Sequence, residues 1–301
     1  MAEERYSEVA DPGIRAFLHE GDRFYPPDAV NFSIAQQRAF YDRYSAHFSP
    51  SLPESIEVQD FAVGRIACRR YIPPQAQQCQ LLYLHGGGFI LGGLESHNSI
   101  CAELAEGAGL TTVAVQYRLT PEHPFPAAFD DCWEVLLDMT SNGTPVIVAG
   151  DSAGGNLTAA LCLKSRDHVG PKINGQVLIY PGLGGDITKG SYLTQANAPG
   201  LSTKDVHYYR DIYGGGDHPY ALPLNAQSHA NLPTAFLVAA GLDPLHDDCD
   251  AYAAKLIAAG GKAEVRHEPL LVHAFLRARH MSQPAAKSFS EIIAAIRRFA
   301  A

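Results

Sequence analysis

Residues 145–154, Pro-Val-Ile-Val-Ala-Gly-Asp-Ser-Ala-Gly, decide the fold of this chain. The apolar, β-branched half of this stretch is typical of a buried strand, and the Ala- and Leu-rich residues 156–165 indicate a helix. Ser152 therefore lies at a sharp strand-to-helix reversal. Gly150 and Gly154 are needed there, because the strand and the helix pass too close for side chains. The pattern is that of a G-x-S-x-G nucleophile elbow, which exposes a serine at the edge of a sheet.

Strands and helices alternate on both sides of this turn. Strands are predicted at 56–61, 65–72, 81–84, 111–117, 145–149, 176–180, 234–240 and 263–267, and helices at 98–105, 127–139, 156–165, 203–213, 248–259 and 282–300. This alternation predicts an α/β protein with an eight-stranded, mostly parallel sheet and helices on both faces. The first two strands should pair antiparallel, because the link between them is short.

Two segments offer no strand to this sheet. Residues 1–50 look helical and aromatic, and residues 181–224 break the alternation with two glycine clusters and one predicted helix. We expect them to pack together as a helical cap over the C-terminal edge of the sheet. In this division, residues 51–301 are the catalytic domain and 181–224 are its insertion.

Aromatic side chains of the cap are the predicted lining of a substrate pocket. They lie four residues apart in pairs, so each pair shares one helix face. The alternative is that these rings only pack the cap onto the body. The predicted pocket residues are Phe40, Tyr44, Tyr209 and Tyr213.

Composition argues against several classes of partner. The 301 residues are 46% hydrophobic, enough for one large core, and the net charge of −9 without a basic run argues against a nucleic-acid partner. No apolar segment reaches the roughly 20 residues needed to span a bilayer, and the acidic start is unlike a signal peptide. The six cysteines form no C-x-x-C pair, so we expect reduced thiols in a cytoplasmic protein.

Catalytic chemistry is expected at the C-terminal edge of the sheet, where open α/β sheets bind ligands. A serine hydroxyl is a poor nucleophile at neutral pH. It needs a base within hydrogen-bond reach and an acid that holds the tautomer of that base. Ser152, Asp243 and His273 follow predicted strands in the order expected for nucleophile, acid and base on such a sheet.

The acid and the base each have competitors. His273 is favoured among 13 histidines because it directly follows the last strand, whereas His267 lies within that strand. Asp243 comes immediately after its strand, where a carboxylate can reach His273. Asp247 and Asp248 compete with it, but Asp247 lies near the start of the next helix and could act only as an N-terminal charge.

The glycine run after His85 is a candidate oxyanion hole. Acyl transfer builds negative charge on the carbonyl oxygen, and preorganised N–H groups stabilise that charge by roughly 3–4 kcal/mol per donor. Glycine lets the backbone approach the substrate closely. The predicted donors are the N–H groups of Gly87, Gly88 and Ala153.

Five motifs in order resemble the hormone-sensitive lipase family of α/β-hydrolases, and more narrowly its microbial esterases with a Gly-Asp-Ser-Ala-Gly elbow. They are His-Gly-Gly-Gly-Phe at 85–89, Tyr-Arg-Leu-Thr-Pro-Glu-His-Pro-Phe-Pro-Ala-Ala at 117–128, Gly-Asp-Ser-Ala-Gly-Gly-Asn at 150–156, Asp-Pro-Leu-His-Asp at 243–247 and His-Ala-Phe at 273–275. The family usually has glycine where this chain has Ala274. The resemblance implies an α/β-hydrolase fold with a helical cap, carboxylic-ester hydrolysis through an acyl-enzyme, no metal or cofactor, and often a homodimer.

The leading hypothesis is a serine carboxylesterase for small-molecule esters with acyl chains of roughly two to eight carbons. An amidase or a lactonase would use the same triad. A non-catalytic small-ligand-binding protein is a further alternative, since plant hormone receptors on this scaffold resemble that case, but they have lost the histidine that this chain keeps at 273. A metal-dependent hydrolase would need ligand spacing such as H-E-x-x-H, which the chain lacks.

Overall fold

The computed structural model describes residues 6–301 and contains one eight-stranded sheet in that range. The order across the sheet is β1-β2-β4-β3-β5-β6-β7-β8. β2 is antiparallel to β1 and β4, and the other neighbours are parallel, so the predicted sheet is confirmed. The strands are β1 (Glu57–Val63), β2 (Ile66–Ile72), β3 (Gln80–Leu84), β4 (Thr111–Val115), β5 (Val146–Asp151), β6 (Ile173–Ile179), β7 (Ala235–Leu242) and β8 (Ala263–Val272).

Helices precede, connect and follow these strands. They are α1 (Pro12–Gly21), α2 (Ile34–His47), α3 (Asn98–Ala108), α4 (Ala127–Thr140), α5 (Ala153–Asp167), α6 (Ser191–Thr194), α7 (Thr203–Tyr213), α8 (His246–Ala258) and α9 (Gln283–Ala300). The short helix α6 was not predicted. The first five residues of the acidic start, which belong to the segment predicted at 1–50, lie outside the described residues.

Among the element boundaries that differ from prediction, two have a clear physical reason. α5 begins three residues early, at Ala153, because the backbone of Ser152 makes the whole reversal in a single residue. β8 continues five residues beyond the predicted end at His267, to Val272, and includes Pro269. Its pairing with β7 shifts register next to Gly241, where a Cβ atom would collide with Pro269. A bulge of this kind lets a strand accommodate proline.

The core lies on both faces of the sheet, because successive strand residues point to opposite sides. On one face, Leu82 and Leu84 pack with α4, α5 and α8. On the other face, Leu81 and Tyr83 pack with α1, α3 and α9. The sheet is thus buried on both sides, which is why its central strands are continuous apolar runs.

The six cysteines at 68, 79, 101, 132, 162 and 249 are all buried and unpaired. In the described part of the chain, no helix combines the length and the apolar character that crossing a membrane requires.

Candidate active site

The turn between β5 and α5 holds Ser152 in a strained backbone conformation. Its φ of 54° and ψ of −115° are unusual for a residue with a side chain. A Cβ atom at Gly154 would overlap the carbonyl group of Leu84, and one at Gly150 would overlap the backbone of Gly154. The two glycines therefore allow β3, β5 and α5 to meet, and the turn directs Ser152 into a cavity.

A chain of hydrogen bonds runs from this serine to a buried carboxylate. The Oγ atom of Ser152 lies 2.9 Å from Nε2 of His273, and Nδ1 of His273 lies 2.6 Å from Oδ2 of Asp243. Asp243 is 0% exposed, and its Oδ1 accepts the N–H of Leu245 at 2.8 Å. A proton on Nδ1 of His273 satisfies Asp243, so Nε2 is left with a lone pair that faces the serine hydroxyl.

The competing acids lie elsewhere. Asp247 is exposed and accepts the N–H of Ser191 at 2.8 Å. Asp248 is buried, accepts the N–H of Leu183 at 2.6 Å and the hydroxyl of Tyr192 at 3.1 Å, and so fastens the inserted segment to α8. Burial raises the pKa of Asp248 to about 6. Neither carboxylate contacts His273.

The loop that carries His273 keeps a glycine-like backbone without glycine. Ala274 has φ 60° and ψ 21°, in the left-handed region that glycine occupies at no cost. This position is the one at which the chain departs from the His-Gly-Phe pattern of the family. The loop geometry is thus retained, with the methyl group of Ala274 as the source of local strain.

The three residues predicted as an oxyanion hole line the same cavity as Ser152. They are Gly87, with φ 127°, Gly88, with φ 59°, and Ala153, at the start of α5. Within residues 6–301, the N–H groups of these three have no hydrogen-bond acceptor. A Cβ atom at Gly88 would overlap the ring of Tyr209, so glycine is required where the predicted cap covers this loop.

A buried carboxylate next to the candidate nucleophile fixes the glycine loop. Oδ1 of Asp151 accepts the N–H of Gly86 at 2.9 Å and the hydroxyl of Tyr83 at 2.8 Å, and it lies 3.3 Å from Nε2 of His97. Burial opposes ionisation of Asp151, but His97, the Tyr83 hydroxyl and Arg277 outweigh it, so the pKa of Asp151 lies below its usual value. The side chain adjacent to Ser152 thereby anchors the start of the candidate oxyanion loop.

His85 at the end of β3 is a buried neutral ring. It stacks on Tyr117 with ring centroids 4.1 Å apart, and its Nδ1 lies 2.9 Å from the carbonyl oxygen of Gly86. Burial lowers the pKa of His85 to about 3. His85 of the His-Gly-Gly-Gly motif therefore packs against the glycine loop as an uncharged imidazole at neutral pH.

The cavity in front of Ser152 has a volume of about 570 Å³. Tyr44, Tyr209 and Tyr213 line it, as do Tyr25 and Tyr41, which the sequence reasoning did not select. Lining residues come from both segments of the predicted cap. Its apolar walls and tyrosine hydroxyls are typical of a small-molecule site.

Phe40 is a correction, because it does not line the cavity. Its ring packs on Phe32, 5.2 Å away between centroids, and the guanidinium of Arg43 lies over it. The inner face of α2 instead passes through Gln37, Tyr41 and Tyr44. Tyr41 is one position from Phe40, which is a rotation of about 100° around a helix.

The two segments of the predicted cap contact each other and the body through polar groups. The hydroxyls of Tyr25 and Tyr209 lie 3.4 Å apart, and the amide of Gln37 donates to the hydroxyl of Tyr208 at 2.9 Å. Below them, the buried guanidinium of Arg277 donates to the hydroxyl of Tyr41 at 2.9 Å. Because Arg277 follows His273 by four residues, this contact ties α2 to the candidate catalytic loop.

The proline-rich loop at 117–128 carries two ion pairs. Arg118 binds the buried carboxylate of Asp131 at 2.7 Å. Glu122 binds Arg38 of α2 at 2.7 Å, and this pairing lowers the pKa of Glu122 to about 2. Neither pair reaches Ser152.

The fold and the serine at its elbow define an α/β-hydrolase, and comparison with known proteins agrees. A family described as "alpha/beta hydrolase fold" matches residues 81–277. The chain therefore belongs to this family, and the resemblance to the hormone-sensitive lipase group of α/β-hydrolases is confirmed.

Named relatives and a solved structure cover most of the chain. Esterase LipI of Mycobacterium tuberculosis is 39% identical over 247 residues, which are 75% of this chain and 77% of that protein. Carboxylesterase NlhH of the same species is 36% identical over 270 residues, 83% of this chain and 85% of that protein. The solved structure of ester hydrolase EH1AB1 from the metagenome of Lake Arreo, in complex with a bipyridine phosphonate derivative, superposes with a TM-score of 0.87 at 31% identity, covering 95% and 98% of the two chains.

Proposed function

We propose that this protein is a serine carboxylesterase that hydrolyses short- to medium-chain acyl esters of small molecules. It is a carboxylic-ester hydrolase, in keeping with relatives named esterase and carboxylesterase at 36–39% identity. The observation that carries the proposed mechanism is the hydrogen-bonded chain from Ser152 through His273 to Asp243. The substrate range is inferred from the cavity in front of that chain.

The first half of the proposed reaction forms an acyl-enzyme. As the Oγ atom of Ser152 attacks the ester carbonyl carbon, Nε2 of His273 takes its proton, and Asp243 stabilises the resulting imidazolium. The carbonyl oxygen becomes an oxyanion that accepts hydrogen bonds from the N–H groups of Gly87, Gly88 and Ala153. Collapse of this intermediate breaks the ester C–O bond, and the Nε2 proton passes to the leaving alcohol.

The second half returns the enzyme to its starting state. A water molecule gives a proton to Nε2 of His273 and attacks the acyl carbon. The new oxyanion accepts hydrogen bonds from the same three N–H groups. When it collapses, the carboxylic acid leaves and His273 returns the proton to the Oγ atom of Ser152. No step needs a redox partner.

Several side chains of the cavity support a limit on acyl chain length. Tyr25, Tyr41 and Tyr209 reduce the space above Ser152, and the volume of about 570 Å³ lies in the range of about 300–1,000 Å³ found for small-molecule sites.

We also propose that the segments predicted at 1–50 and 181–224 act together as the cap that sets this limit. The Tyr25–Tyr209 and Gln37–Tyr208 contacts support this proposal, since each joins the N-terminal segment to the insertion. A cytoplasmic location is supported by the six unpaired, buried cysteines. A homodimer is supported by the family resemblance alone and can be tested by light scattering.

The mechanism is tested by labelling the nucleophile. We expect a fluorophosphonate to modify wild-type protein once, at Ser152, and to leave Ser152→Ala unlabelled and without esterase activity. Ser290→Ala is the matched control, because Ser290 is exposed on α9 and bonds only within its helix. Label on another serine, or esterase activity retained by folded Ser152→Ala, would refute the assignment of the nucleophile.

The chain-length proposal has a separate assay. We expect kcat/KM to be highest for p-nitrophenyl acetate, butyrate or octanoate and to fall steeply for palmitate. A maximum at palmitate, or a jump in rate when the substrate forms an emulsion, would show that the cap does not limit the acyl chain. That result would leave the proposed triad untouched.

A further inference from the structure

A group of three side chains on the surface lies apart from the cavity. His246 and Asp250 are four residues apart on α8, and His267 extends from the neighbouring strand β8. One nitrogen or oxygen atom of each lies within 4.8 Å of those of the other two. Within residues 6–301, no other group of three or more His, Cys, Asp or Glu side chains lies close enough to share a metal ion. None of these three residues lines the cavity.

The two imidazoles have the spacing of metal ligands. Nε2 of His246 lies 3.3 Å from Nδ1 of His267. Zinc binds histidine nitrogen at about 2.0–2.1 Å, usually with tetrahedral geometry. Two ligands at that distance and at the tetrahedral angle are about 3.3–3.4 Å apart. The rings are therefore already separated by about one edge of a zinc coordination tetrahedron.

Each ring also has its second nitrogen held from outside. Nδ1 of His246 lies 2.9 Å from the carbonyl oxygen of Ala240, which accepts its proton and leaves the Nε2 lone pair facing His267. Nε2 of His267 lies 3.2 Å from Oδ1 of Asp250. Histidine ligands of metals typically donate their other N–H to a carbonyl or carboxylate in this way, which fixes the ring and its tautomer.

We propose that His246, His267 and Asp250 form a binding site for a divalent cation of the Zn²⁺ type. The two imidazoles are the nitrogen ligands, and Asp250 is the carboxylate partner that supplies negative charge. Imidazole nitrogen favours Zn²⁺, Ni²⁺ or Cu²⁺ over Mg²⁺ and Ca²⁺, which prefer oxygen. Water can complete the coordination, because His246 is partly exposed and the other two side chains are exposed.

The position of the site gives a bound ion a mechanical role. His246 follows the candidate acid Asp243 by three residues, and His267 precedes the candidate base His273 by six on the strand that leads to it. A cation here would clip the start of α8 to β8. It would lie beside the acid and base loops and would take no part in ester chemistry. Binding to the folded chain alone would also raise its thermal stability.

The test is titration calorimetry of the full chain, stripped with EDTA and dialysed, with ZnCl₂ as the probe. We expect wild-type protein to bind one Zn²⁺ and MgCl₂ to give no measurable heat. His246→Ala and His267→Ala should each weaken the binding at least 100-fold. Asp250→Asn should weaken it about 10- to 100-fold, as loss of a supporting carboxylate does elsewhere. His168→Ala is the control, because His168 is an exposed histidine outside the cluster.

The variants also separate this site from nonspecific binding. Equal Zn²⁺ affinity in wild type, His246→Ala and His267→Ala, with each shown to be folded by circular dichroism, would overturn the proposal. Failure of wild-type protein to bind at millimolar Zn²⁺ would also overturn it, and so would equal binding of Mg²⁺. A Zn²⁺-dependent rise in melting temperature that is lost only in the cluster variants supports it. The Ala240 contact belongs to His246 alone, so His267→Ala tests the site without disturbing that support.

Discussion

Replacing Asp243 by asparagine tests the orientation of the candidate base more sharply than any other single substitution. The Oδ1 atom of Asp243 accepts the N–H of Leu245 at 2.8 Å, and a side-chain amide can keep that bond only through its oxygen. Its NH₂ group must then face Nδ1 of His273, 2.6 Å from Oδ2 in the wild type. Because two donors cannot pair, the imidazole has to place its proton on Nε2. That tautomer cannot accept the proton of Ser152.

The expected loss follows from this change of tautomer. The substitution conserves shape and leaves the nucleophile and the N–H donors in place, so substrate binding and KM should change little. In a serine-hydrolase triad the corresponding substitution lowers kcat by about 10⁴-fold. That factor corresponds to about 5 kcal/mol of lost transition-state stabilisation. We therefore expect Asp243→Asn to lower kcat by about 10⁴-fold with little change in KM. Labelling of Ser152 by a fluorophosphonate should slow in parallel.

The assay compares kcat and KM for p-nitrophenyl butyrate in wild type, Asp243→Asn and Asp247→Asn. Asp247 is the matched control, because it is exposed and its bond from the N–H of Ser191 survives as a bond to the asparagine oxygen. We expect Asp247→Asn to stay within about twofold of wild type, since this hydrogen bond is kept and does not reach His273. Equal losses in two folded variants, or a loss below about tenfold in Asp243→Asn, would refute the reasoning.

Four further predictions concern the elbow, two loops and the chemistry. Gly154→Ala should cost more than about 4 kcal/mol or prevent folding, because its methyl group overlaps Leu84, whereas Gly143→Ala, in open space at φ 80°, should cost about 1–2 kcal/mol in urea unfolding. Ala274→Gly should raise the free energy of unfolding by up to about 1 kcal/mol by relieving its left-handed backbone. The pKa of His85 is about 3 in the folded chain, against 6.5 when unfolded, so only the unfolded chain binds a proton between these values; wild type should therefore lose about 2 kcal/mol more stability than His85→Gln as pH falls from 6.5 to 4.5. Treatment with EDTA should leave kcat for p-nitrophenyl butyrate within about twofold, and a larger fall would show that a metal takes part in hydrolysis.

Local backbone signals account for what the sequence could predict. Ser152, Asp243 and His273 each follow a strand at once, and the carboxyl ends of parallel strands meet at one edge of the sheet. Topology alone therefore brings three residues separated by 91 and 30 positions into one hydrogen-bonded chain. The glycines of the elbow could also be predicted from the sequence, because a close approach of two backbones excludes every other residue.

Contacts between side chains on different elements could not be predicted in this way. The choice of Phe40 over Tyr41 failed because both fit an aromatic stripe with Tyr44, at spacings of four and three residues, and one chain gives no means to fix the rotation of α2. The hydrogen bond from the N–H of Gly86 to Asp151 joins residues 65 positions apart. The cluster at His246 left a partial signal, a His-x-x-x-Asp pair on one helix face, but its third member comes from the next strand.

The contacts of the site divide into a stiff body and a softer proposed cap, and this division bears on specificity. The candidate nucleophile and the candidate oxyanion loop share the buried carboxylate of Asp151, so neither can shift without breaking bonds to a charged group, each worth about 1.5–3 kcal/mol. Between the two segments of the proposed cap, the Tyr25–Tyr209 contact is neutral and 3.4 Å long. A neutral hydrogen bond contributes only about 0.5–1.5 kcal/mol. Substitutions at Tyr25 or Tyr209 should therefore change which esters enter while leaving the rate of acyl transfer from a small ester nearly unchanged. Substitution of Asp151 should lower that rate for every ester alike.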